Sequence, residues 1–148
     1  MQASPLAGPV TLPIGCEADL ALVRQRVRQT AAELGFGLVQ QTKVVTAASE
    51  LARNTLVHGG GGQAVLTVLD HPQSRGLEVS FADKGPGIHD VEQAMTDGYT
   101  TGGGLGLGLS GARRLVHDFA IDTGPGRGTT VTIRMWAYGL PTPRTGAE

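Results

Sequence analysis

The sequence predicts an α+β fold, a two-layer α/β sandwich in which helices cover one face of a mixed, mostly antiparallel sheet. Three observations predict it. Two amphipathic helical patterns follow one short strand, two pairs of strand-like segments are each joined by turn residues, and a third helical pattern separates those pairs. The order is β-α-α-β-β-loop-α-β-β, and antiparallel runs with helices able to cover one face give two layers.

In chain order, "PVTLPI" reads as a short strand that Pro13 confines to a sheet edge. In "EADLALVRQRVRQTAAELG", Leu20, Val23, Val27, Ala31 and Leu34 recur at helical spacing, acidic residues crowd the start, and Gly35 can cap the end. Arg24, Arg26 and Arg28 form its outer face, read as a solvated surface. The second helix lies in "LVQQTKVVTAASELARNTLVHGGGG". Its apolar stripe is Val44, Val45, Ala48, Leu51, Ala52 and Leu56, and the glycine run stops it. "QAVLTVLD" and "GLEVSFAD" form a hairpin around "HPQSR". After "GPG", "HDVEQAM" can make one helical turn. "LSGARRLVHDF" reads as a third helix with Leu109, Ala112, Leu115 and Val116 inward, and "AIDTGPGRGTTVTIRMW" closes the chain as a second hairpin.

The 148 residues suit one domain, here residues 9–138, with residues 1–8 and 139–148 expected to be flexible. A net charge of −1 does not suggest a non-specific grip on nucleic acid or an acidic membrane. His58, His71, His89 and His117 show no zinc-site spacing. The single cysteine, Cys16, allows no intrachain disulfide and is expected to pack as a small apolar residue. The opening "MQASPLAGPV" lacks the basic segment and apolar core of a signal peptide, and no apolar run approaches the roughly 18 residues of a membrane span. A cytoplasmic protein is expected.

Glycine is the unusual residue: 23 of them, clustered most densely in "YTTGGGLGLGLSGARRL". Gly106, Gly108 and Gly111 spell G-x-G-x-x-G there. A dinucleotide loop would need a strand before it, and "MTDGYTTGGGL" is not one. A P-loop fails because no Lys-Ser or Lys-Thr follows, and a protein-kinase glycine loop fails for want of H-R-D and D-F-G downstream. What remains is general: consecutive glycines expose backbone N–H groups at the start of a helix, an arrangement that attracts phosphate. A flexible linker is the alternative, weakened because the helical pattern begins at once.

Three further features join it. Glu50 and Asn54, at i and i+4, share one helix face beside the apolar stripe, and could orient a hydroxyl and coordinate Mg²⁺. Taken alone, such a pair is an ordinary solvated decoration. "FADKGPG" puts Asp83 at a strand end before Gly85 and Gly87, where a carboxylate can accept from an exocyclic amine while a flat ring lies on the glycines. "GRGTTVTI" places Gly128 and Thr129 where the last strand starts. Each of these two is alone an ordinary turn.

In this combination and order, the residues resemble the GHKL superfamily of ATP-binding domains. "ELARN" looks like its N box, "DKGPGI" and "GGGLGLGLSGARRL" its two glycine boxes, and "GTT" its closing motif, a match running from Glu50 to Thr132. Only one helix precedes the N-box helix, which disfavours a histidine kinase, and a gyrase-like or chaperone-like member with a large transducer domain is not expected. The chain is therefore similar to the bacterial switch-protein serine/threonine kinases of the anti-sigma regulatory group, and its phrasing favours the RsbT-like branch. Thr55 and the four glycines from Gly59 set it apart from direct sigma-factor binders.

The resemblance implies ATP and Mg²⁺ as cofactors, with Asn54 holding the metal and Glu50 as general base. Asp83 would read the adenine amine, Gly85 and Gly87 would shape its pocket, and Thr129 would assist through water. Gly102, Gly104, Gly106 and Gly108 would form a lid and cradle phosphates. The implied partners are STAS-domain proteins (RsbS/RsbR-like) and a PP2C-type phosphatase (RsbU-like), with homodimerisation left open and no nucleic acid or membrane. A non-catalytic ATP-binding, sequestering module is the rival reading.

Overall fold

The computed structural model describes residues 8–88, 90–91, 95 and 108–137. Among the described residues, five strands and three helices follow in the expected order: β1 (Val10–Ile14), α1 (Glu17–Glu33), α2 (Leu38–Val57), β2 (Gly62–His71), β3 (Ser74–Asp83), α3 (Leu109–Leu115), β4 (Asp118–Thr123) and β5 (Thr129–Trp136). The strands form one sheet in the order β1-β2-β3-β5-β4. Each of its four ladders is antiparallel, so the parallel component of a mixed sheet is absent among the described residues. Pro13 sits on the edge strand β1 opposite Gln63, where its missing N–H costs the sheet little.

The helices pack on one face. Leu20, Val23, Val27 and Ala31 of α1 and Val44, Ala48, Leu51 and Ala52 of α2 are buried against Leu66, Val79, Phe81 and Ile133 of the sheet. Thr55 is buried although polar, because its hydroxyl donates to Leu51 O at 3.0 Å, whereas Leu56 is only partly buried. Helix α1 closes with a Schellman motif. Phe36 N donates to Ala31 O at 3.0 Å and Gly35 N to Ala32 O at 3.1 Å, with Gly35 at φ +90°. Cys16 is exposed at the N-cap of α1, contrary to the expected packing, because the first turn of α1 faces solvent around it. There Asp19 Oδ2 accepts from Gly15 N at 2.8 Å.

Two boundaries differ from expectation. The helix expected across "LSGARRLVHDF" ends at Leu115. Val116 is extended, His117 N donates to Arg134 O at 3.0 Å, and Asp118 already pairs with Arg134. The pull of a full ladder on β5 overrides the helical pattern. Strands β2 and β3 likewise pair up to His71 and Ser74, which shortens the expected turn to Pro72 and Gln73. Of "HDVEQAM", Met95 N donates to Val91 O at 2.9 Å, while residues 89 and 92–94, on which the expected helical turn falls, lie outside the described residues.

Far from the Asp83 end of the sheet, His117 Nδ1 accepts from Trp136 N at 2.9 Å. Burial holds this imidazole below its ordinary pKa. Asp118 opposes that effect and Lys43 adds to it. No helix among the described residues is long and apolar enough to cross a membrane.

Candidate active site

A cleft opens between the helical layer and one end of the sheet. Its apolar floor is Leu51 of α2, Phe81 of β3, Leu109 of α3 and Val131 of β5, and Asn54, His58, Asp83 and Thr129 supply polar groups. Few polar groups over an apolar floor is the usual make-up of a small-molecule site.

Of the expected residues, Glu50, Asn54, Asp83, Gly85, Gly87, Gly108 and Thr129 lie among those described. Asp83 ends β3 and stands opposite Thr129, the first residue of β5, in the β3–β5 ladder. Its Oδ1 accepts from Gly85 N at 2.8 Å, which pins the carboxylate to the loop that follows. Gly87 and Ile88 form one wall. That loop is tied to the β4–β5 turn, since Gly126 N donates to Pro86 O at 2.7 Å and Ile88 N to Thr123 Oγ1 at 2.9 Å. Asn54 lines the cleft one helical turn beyond Glu50, and Glu50 lies against Gly108, the N-cap of α3. The structure thus brings Asn54, Asp83, Gly87 and Thr129 to one cleft, with Gly85 bonded to Asp83 and Glu50 and Gly108 in contact with each other. Gly102, Gly104 and Gly106 lie outside the described residues.

The helix-to-strand connection after Asn54 passes directly under Asp83. A Cβ at Gly59 would collide with the Asp83 side chain, its Oδ2 included. Gly59 and Gly62 are therefore close-fitting positions of the glycine run, whereas Gly60 faces open space. Sequence reasoning missed His58, Thr55, Ile88 and the apolar floor as parts of the site. Gly59 carried a signal, the glycine run itself; apolar floor residues look like any core residue.

Among the described residues no group of three or more His, Cys, Asp or Glu could hold a metal by itself. The donor set nevertheless fits Mg²⁺, which is commonly bound through one or two oxygen side chains together with substrate phosphates. Asn54 offers such a carboxamide oxygen donor, and Glu50 stands one turn away on the same helix.

Residues 39–138 match the family described as "Histidine kinase-, DNA gyrase B-, and HSP90-like ATPase". The chain belongs to this family. Within it, the chain is 42% identical over 120 residues to the serine/threonine-protein kinase RsbT of Bacillus subtilis (strain 168), covering 81% of this chain and 90% of that protein. It is 27% identical over 122 residues to an anti-sigma F factor of Thermoanaerobacter sp. (strain X514), covering 80% of this chain and 84% of that one. Among solved structures, the RsbU and RsbW domains of Rv1364c from Mycobacterium tuberculosis superpose with a TM-score of 0.59 at 21% identity. That match covers 92% of this chain and 34% of that one, a likeness of fold. Membership of this ATPase family and the RsbT relationship make the chain an ATP-using enzyme of the serine/threonine-protein kinase class, related to the anti-sigma factors.

Proposed function

We propose that the chain phosphorylates a serine or threonine of a STAS-domain partner, RsbS/RsbR-like, in a bacterial partner-switching stress pathway, and engages a PP2C-type phosphatase, RsbU-like, once released. The observation that supports this best is the convergence of Asp83, Thr129 and Asn54 on one cleft beside Glu50.

In this reading Asp83 accepts from the adenine amine, Gly85 and Gly87 let the ring approach the backbone, and Thr129 assists through water. Asn54 would hold Mg²⁺, and the bound ion would neutralise charge on the phosphates. Glu50 takes the proton of the acceptor hydroxyl as its oxygen bonds to the γ-phosphorus; the bond from that phosphorus to the β–γ bridging oxygen breaks and ADP leaves. Phosphoryl transfer needs chiefly positioning and charge neutralisation, which these few groups can supply. Gly102, Gly104, Gly106 and Gly108 belong to the lid and phosphate cradle.

Incubation with γ-labelled ATP and candidate STAS proteins tests the proposal. Label on a serine or threonine of the STAS protein supports it. An ATP-dependent complex without transferred label would establish the sequestering module instead.

A further inference from the structure

The hydroxyl of Thr123, the last residue of β4, is the hub of three contacts at the back of the cleft. It accepts from Ile88 N at 2.9 Å, donates to Gly128 O at 3.0 Å and stands 2.8 Å from Thr129 Oγ1. A threonine hydroxyl has one proton and two lone pairs. A carbonyl only accepts and an amide N–H only donates, so the proton of Thr123 is committed to Gly128 O and one lone pair to Ile88 N. The remaining lone pair faces Thr129, which must then be the donor of the pair. With its own proton used in this way, Thr129 turns only lone pairs toward the cleft it lines. Its register partner Asp83 presents a carboxylate, also an acceptor.

We infer that Thr123 is a positioning residue for base selection: it fixes the direction of the Thr129 hydroxyl and so makes the side of the cleft formed by Asp83 and Thr129 acceptor-only. Such a wall suits a base that brings an amine to it, as adenine does. It opposes a base that brings a carbonyl oxygen to the same place, as guanine and hypoxanthine do, because buried acceptors facing each other go unsatisfied. The inference rests on the nucleotide reading of the cleft and adds a residue that does not itself line it.

The test is calorimetric titration of the whole chain with ATP, GTP and ITP, for the wild type, Thr123→Val and Thr123→Ser. The wild type prefers ATP. The valine variant is expected to lose about tenfold or more of the ATP-over-GTP ratio, the worth of one oriented hydrogen bond, and the serine variant to regain it. In a Thr129→Val background, Thr123→Val moves the ratio no further. A merely structural role would weaken all three nucleotides together; a ratio that survives Thr123→Val, or a second full drop in the Thr129→Val background, overturns the inference. Should the valine variant fail to fold, Thr123→Cys, a weak donor of similar size, is read by the same criteria. A wild type that binds no adenine nucleotide overturns the cleft reading and this inference with it, whereas retained ATP preference in the valine variant overturns this inference alone.

Discussion

The Glu50 side chain fills the space that a side chain at residue 108 would occupy. Gly108 has φ +67°, and a Cβ built there would run into Cγ, Cδ and Oε2 of Glu50. The N-cap of α3 and the proposed general base are thus fitted to each other. Gly108→Ala should displace the carboxylate and add left-handed strain of about 1 kcal/mol. Phosphate transfer is expected to fall about tenfold or more while the melting temperature moves little. Transfer at the wild-type rate would show that the carboxylate need not sit where Gly108 lets it.

Glu50→Gln keeps the shape of that contact and removes the base. Transfer to a STAS partner should drop about 100-fold or more, the usual worth of general base catalysis, with ATP affinity nearly unchanged. Equal losses in affinity and rate would assign Glu50 to nucleotide binding instead.

Asn54→Ala should leave a folded protein that has lost transferase activity and the Mg²⁺ dependence of its ATP affinity. Titrations at several Mg²⁺ concentrations read this directly, and an unchanged metal dependence would remove Asn54 from the metal role.

At the other end of the cleft, Asp83→Asn puts an amide donor where the adenine amine would arrive. Affinity for ATP should fall about 100-fold or more, since a polar site discriminates strongly once its pairing is lost. Gly59→Ala reaches the same carboxylate from behind, by pushing on Oδ2, and should weaken ATP binding without touching Asp83 itself. If Gly59→Ala binds ATP as the wild type does, the carboxylate pose imposed by Gly59 is irrelevant to the ligand.

His117 predicts an acid-side loss of stability. Its pKa in the fold lies below the ordinary 6.5, so the unfolded chain takes up the proton more readily. The stabilisation is complete above about pH 6.5 and is lost as the pH falls through the folded pKa. Protonation at Nδ1 also removes the acceptor for Trp136 N. Thermal melts at about pH 7.5 and about pH 5 should show a fall that His117→Asn, which keeps an acceptor but cannot titrate, makes smaller. An identical pH slope in both proteins would locate the acid sensitivity elsewhere.

Much of this architecture was legible in the sequence because local signals and tertiary packing agree. The stripe from Leu20 to Leu34 is buried as its spacing predicts, and Gly35 closes α1. Asp83 and Thr129 stood out by their place beside glycines at strand ends. Where the two levels compete, local reading failed. Val116 to Phe119 continue a helical pattern, yet β5 offers Asp118 and Phe119 a complete set of ladder bonds. Cys16 has an apolar side chain but caps a helix start that faces solvent. Thr123 could not have been found at all, since its importance lies in three partners brought together from positions 88, 128 and 129.

The fit of Gly59 beneath Asp83 and of Gly108 beneath Glu50 bears on how such a protein loses its function over generations. One added methyl group at either place jams a carboxylate while leaving the hydrophobic core intact. Duplicated copies that drift from catalysis toward mere scaffolding should therefore betray themselves first at these two glycines, before any change reaches Glu50 or Asp83.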